Sequence, residues 1–186
     1  MVNSKVLILC EGEQDKKFIN LFYKKYLNLE ANAIEVKALG NKSAFFKEEN
    51  YSQIKKQIDI GLYHKILFVV DSDFEKNDAV YGGYENTAKR IQEMIKKLDI
   101  EGITDYFISC DPTNQNGNLE HLILSTIDKP KQDCIETLIN CIESMDTHEN
   151  KKIVLTGYET IFKEAPYNFD HQNFGELKNK IVSMVK

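Results

Sequence analysis

The sequence predicts an α/β protein: a mainly parallel sheet of about four strands with helices on both faces, followed by a helical C-terminal extension. Two observations carry this reading. Short apolar runs of strand length recur at residues 6–10, 33–39, 65–70 and 105–110, and segments with helical spacing of apolar residues lie between them. Near-continuous apolar strands alternating with helices belong to parallel sheets covered on both faces. Right-handed crossovers then set every strand's C-terminal end on one edge, where open α/β sheets bind ligands.

The elements follow in order. After the first strand, Phe18, Leu21, Phe22 and Leu29 mark a helix. Ile54, Ile58 and Leu62 mark another between the second and third strands. Residues 84–98 form a third, with Ala88, Ile91, Met94, Ile95 and Leu98 on one side. Beyond Cys110 the loop DPTNQNGN leads into helical patterns at about 119–127, 132–144, 151–163 and 174–185, with no strand signal. The expectation is a single domain over residues 1–186, with a core at about 5–125 and a helical cap at about 126–186.

Composition sets limits on function. The chain has 186 residues, 42% hydrophobic and 28% charged, the balance of a globular protein rather than a disordered one. No apolar span suits a membrane helix and no signal peptide is recognisable, which points to the cytoplasm. The four cysteines (Cys10, Cys110, Cys134, Cys141) show no CxxC or zinc spacing and read as buried free thiols. His64, His121, His148 and His171 are scattered without ligand spacing, although His121 adjoins Glu120. A net charge of −5 and a single arginine, Arg90, argue against a protein that coats nucleic acid or reads it through an arginine cluster. A nucleic-acid enzyme stays open, because metal ions can supply positive charge that side chains do not. The lysine pairs read as solvated helix faces.

The chemistry-bearing residues cluster at two strand ends. The first strand runs into Glu11, Gly12, Glu13, Gln14 and Asp15; the third, KILFVVDSDFE, runs into Asp71, Ser72 and Asp73. Burying an unpaired carboxylate is costly. In extended geometry Asp71 and Asp73 share a side. Parallel strands would bring Glu11 to the same edge, and three convergent carboxylates suit Mg²⁺ or Mn²⁺. Acids at helix starts also serve as caps, which is the preferred reading for Glu13. Gly40 reads as a tight turn, and Gly82-Gly83 as part of a surface loop beside Asp71 and Asp73.

With Glu11-Gly12 at one strand end and Asp71-Ser72-Asp73 at another, the chain resembles Toprim domains, the Rossmann-like fold shared by topoisomerases, bacterial-type primases and OLD-family nucleases. The phrase LILCEGEQDKKFI and the segment GNLEHLI are closest to small stand-alone Toprim proteins of the OLD type. The resemblance covers roughly residues 5–125. It implies a divalent-metal-dependent enzyme acting on nucleic-acid phosphodiesters, an endonuclease of DNA or RNA. Glu11, Asp71 and Asp73 would be catalytic, with Asp15 and Glu120 completing the metal ligands. Lys42 in LGNKSAF and Lys163 in TIFKEAPYNFD are candidates for the lysine expected of OLD-type enzymes, although each reads first as an ordinary surface lysine. No G-x-x-x-x-G-K-[ST] occurs, so any ATPase function would sit on a partner subunit.

Three other readings bear on these residues. One is a non-catalytic, Mg²⁺-dependent binding module for nucleic acid or a partner ATPase. A nucleotide-sugar transferase would use the D-x-D but leave Glu11-Gly12 unexplained. A haloacid-dehalogenase phosphatase is rejected, because Glu75 fills the fifth motif position and the motif falls mid-chain.

Overall fold

The computed structural model describes residues 4–30, 32–142, 151–161 and 167–185. It is an α/β fold with one four-stranded sheet in the order β2-β1-β3-β4, parallel at every pairing. The strands are β1 (Lys5–Cys10), β2 (Ile34–Ala38), β3 (Tyr63–Asp71) and β4 (Thr104–Ser109). Each lies on an apolar run that the sequence marks, and the boundaries move by a few residues.

Side-chain alternation divides the interior into two cores. Val6, Ile8 and Cys10 of β1, with Leu67 and Val69 of β3, face one layer. That layer contains α1 (Glu13–Leu21), α5 (Leu119–Leu124), α6 (Lys129–Ile142), α7 (Lys151–Ile161) and α8 (Gly175–Val185). Leu7 and Leu9, with Ile66, Phe68 and Val70, face the other. There α2 (Lys42–Phe45), α3 (Ser52–Asp59) and α4 (Tyr84–Leu98) supply Phe45, Ile54, Ile91 and Leu98. A parallel sheet buried on both faces needs apolar side chains at consecutive positions, which is why its strands read as unbroken runs.

Among the described residues the helical C-terminal extension is present as α6 to α8, and these helices, with α5 before them, pack on the α1 side. Phe174, Leu177 and Ile181 are fully buried there and meet a cluster of Phe18, Phe22 and Phe169. His148 and Lys163 lie outside the described residues.

One expectation is corrected. All four cysteines are free, but only Cys10 and Cys110 are buried; Cys134 and Cys141 are exposed. On α6 the inward positions are taken by Ile135 and Ile139, whereas Cys134, Leu138 and Cys141 follow one another along the outer face. An apolar helical pattern does not identify which stripe turns inward.

The turn that brings the C-terminal layer to the sheet edge depends on Gly117. Its φ is +89°, and an added Cβ would fall 2.4 Å from the His121 ring. Its carbonyl accepts from Asp73 N–H at 2.5 Å and its N–H donates to Asp73 C=O at 3.1 Å. Gly117→Ala is therefore expected to destabilise the fold by about 2 kcal/mol or more. Gly102→Ala, where a Cβ meets nothing within 4 Å, serves as the control and should change stability by less than about 0.5 kcal/mol. Urea denaturation of both variants checks this.

Candidate functional site

The C-terminal sheet edge is acidic because β1 and β3 both end there. Their register pairs Cys10 with Val69, so Glu11 emerges beside the last residues of β3. Glu11 is only 9% exposed, and its Oε1 accepts the N–H of Asp71 at 2.9 Å. The carboxylate thus stands where a further parallel strand bond would otherwise continue the ladder.

Asp71 is partly buried at the end of β3. Its Oδ1 accepts the N–H of Leu119, the first residue of α5, at 3.0 Å. This carboxylate ties the end of β3 to the start of the C-terminal layer. Asp15, at the third position of α1, turns back to accept the N–H of the capping residue Gly12 at 2.8 Å. Gly12 has an extended backbone, and a Cβ there would lie 3.3 Å from Asp15 Oδ2. Glu13 is exposed and pairs with Lys16 at 3.2 Å, as a helix-start acid. Glu120 lies in the first turn of α5.

Asp73 departs from the expected extended geometry. Its φ is +58°, so the alternation of β3 stops at Asp71 and does not carry Asp73 to the same side by strand geometry. The left-handed turn lets Asp73 bridge to Gly117 and sends its carboxylate to Lys42. Lys42 follows β2 and Gly40, whose N–H donates to the Glu11 carbonyl at 2.7 Å. The Lys42 ammonium donates to Asp71 C=O at 2.5 Å, Ser72 C=O at 3.0 Å and Asp73 Oδ2 at 3.0 Å. Its side chain is 11% exposed, so Lys42 is not an ordinary surface lysine. It is the cation that this edge already holds.

Electrostatics unite all five acids singled out in the sequence. Burial pushes the Asp71 carboxyl well above its ordinary range, and the charges of Asp15, Glu11, Asp73 and Glu120 push it further. Burial likewise raises Glu11 to about 7, against the opposing pull of Lys42 and the Asp71 N–H. Asp15 is raised by burial and by Glu120 and Asp73, although its bond from Gly12 opposes this. Lys42 offsets this repulsion only in part, since Glu11 stays raised against its pull.

As arranged, no three His, Cys, Asp or Glu side chains among the described residues gather closely enough to ligate one ion. The donor set still fits a hard divalent cation in its chemistry: it is oxygen only, converges from two strand ends and a helix start, and has raised carboxyls. Sequence reasoning offered Lys42 as a candidate but missed its burial, because a lysine opening the short helix α2 gives no signal of where its ammonium reaches. His121, beside Glu120, is buried with Nδ1 2.6 Å from Asn118 Oδ1 at the start of α5.

A carboxyl raised in the folded state binds its proton more tightly there than in the unfolded chain. Stability is then greatest at low pH and falls as pH rises from 4.5 to about 7 for Glu11. That loss is on the order of 3 kcal/mol for Glu11 alone. In metal-free buffer the thermal midpoint should fall between about pH 5 and about pH 8, and Glu11→Gln should flatten that fall. A midpoint independent of pH in this range would contradict the uncompensated edge.

Among known families, the one described as "Protein of unknown function (DUF3226)" matches residues 5–156. No curated protein and no solved structure matches the chain.

Proposed function

The chain belongs to the DUF3226 family, and we propose that its acidic sheet edge is a divalent-cation site of an enzyme acting on nucleic-acid phosphodiesters, an endonuclease of DNA or RNA. The observation that carries the proposal is the meeting of two strand ends at one edge, where Glu11 Oε1 accepts the Asp71 N–H at 2.9 Å and burial, with the charges of Asp15, Glu11, Asp73 and Glu120, holds the Asp71 carboxyl well above its ordinary range. Carboxylates in this state are relieved by a cation, and a phosphodiester needs one to approach an acidic edge. The Toprim resemblance of Glu11-Gly12 and Asp71-Ser72-Asp73 supports the same reading.

Asp71 and Asp73 would hold Mg²⁺ or Mn²⁺, with Glu11 as a further ligand or as the group that takes up the proton of the attacking water. Asp15 and Glu120 would complete the ligands. When bound, the cation would polarise the phosphate and make water more acidic. Lys42 sits beside Asp73 and would add a fixed positive charge to balance the charge developing on phosphate oxygens. ATP hydrolysis, where it takes part, would belong to a separate subunit. Among the described residues no helix is long and apolar enough to cross a membrane, and the free thiols suit a reducing cytoplasm.

A second reading has its own support. Glu11, Asp71, Asp73 and Asp15 each make a structural bond within the fold. A module that binds nucleic acid or a partner ATPase through Mg²⁺, without turnover, would use the same edge. A cleavage assay with Mn²⁺ or Mg²⁺ separates the two. The enzyme reading expects divalent-dependent nicking or degradation that falls at least about a hundredfold in Asp71→Asn or Glu11→Gln. Metal-dependent binding of intact strands with no cleavage by wild type would establish the binding module.

A further inference from the structure

A cleft of about 370 Å³ opens beside the acidic edge, between α1, α5 and α7. Glu120 forms part of its wall, and Gln14 and Leu119, which also line it, adjoin Asp15 and donate to Asp71 Oδ1 respectively, so the cleft borders the edge. The floor is apolar, with Phe18, Leu119, Ile123 and Leu155 buried in the core beneath it. Lys17 and Lys152 line it from facing helices. Gln14 and Tyr167 add an amide and a phenol, and the Tyr167 hydroxyl donates to Glu159 Oε1 at 3.2 Å. The Tyr167 ring is itself supported, edge-on to Phe18 at 5.6 Å and stacked on Phe169 at 5.2 Å.

We propose that this cleft is a subsite for one unpaired nucleotide of single-stranded nucleic acid, placed so that its phosphate reaches the acidic edge. The inference rests on the phosphodiester reading of that edge and names its substrate class. Three features favour this occupant. An apolar floor with an aromatic wall suits the face of a base, and an amide, a carboxylate and a phenol suit its polar rim. Two lysines answer the backbone charge of a strand running past the cleft. The volume lies at the lower end of small-ligand sites, enough for a single nucleotide and too small for a base pair held in a duplex.

The test is equilibrium binding of a short fluorescein-labelled oligothymidylate to the full chain in Ca²⁺, a hard oxygen-seeking cation that screens the acidic edge, with the strand checked for intactness after each titration. Thr156 is exposed on α7 and lines the cleft, so Thr156→Glu places a carboxylate there from a solvent-facing position. Lys56→Glu, exposed on α3 on the opposite face of the sheet and with the larger change in charge, controls for general electrostatics. The expected result is about tenfold weaker binding for Thr156→Glu, the loss associated with one stacked base, and less than about twofold for Lys56→Glu. A hairpin duplex of the same length should compete poorly. Equal loss in both variants, unaltered binding by Thr156→Glu, no binding by wild type, or a duplex that competes as well as the single strand would overturn the subsite. Because the assay needs no turnover, failure to cleave would remove only the enzyme reading, and persistent cleavage with unchanged Thr156→Glu binding would remove only the subsite.

Discussion

The register between β1 and β3 governs the acidic edge. Cys10 opposite Val69 puts Glu11 within reach of the Asp71 N–H, and β3 against β4 puts Asp71 opposite Ser109. A slip of one residue would turn every side chain of a strand to the other core. The alternation of β1 between two separate apolar layers therefore fixes the register, and the register fixes the carboxylates. Core packing and site geometry are one constraint here.

That constraint leaves acids where water is scarce, and the fold offsets the cost locally. Glu11 and Asp15 accept backbone N–H groups left over at the end of a strand and the start of a helix. Asp71 does the same for α5 and so joins the sheet to the C-terminal layer. Lys42 gathers two carbonyls and Asp73 around one ammonium. These bonds favour the anions, but burial and mutual repulsion outweigh them and hold the carboxyls of Asp71 and Glu11 above their ordinary range, a strain that a cation would relieve. The same C-terminal layer that Asp71 anchors provides two walls of the cleft beside Glu120.

The sheet, its strand positions and the placement of Glu11 and Asp71 were legible because each lies at the end of an apolar run, and parallel connection sets those ends together. Asp15 and Glu120 were less evident from the residues alone and entered through the Toprim resemblance; all five acids meet electrostatically around Asp71. The conformation of Asp73 was not legible. An Asp-x-Asp suggests continued extension, whereas a left-handed φ is set by pairing with Gly117 more than forty residues away in the chain. Lys42 was named as a candidate, but its burial was not legible, since two of its three partners are backbone carbonyls that leave no mark in the sequence. The exposure of Cys134 and Cys141 depends on which stripe of α6 meets Ile135's neighbours, a tertiary choice that apolar spacing alone does not decide.

The central claim is that the five acids form a place for a divalent cation. Anomalous scattering from a crystal grown or soaked with Mn²⁺ tests it most directly. The account predicts a manganese peak between Glu11 and the Asp71–Asp73 turn, with carboxylate oxygens at about 2.0–2.2 Å and Lys42 no longer alone in balancing Asp73. A well-ordered edge with the Lys42 bonds intact and no anomalous peak at saturating Mn²⁺ would contradict it.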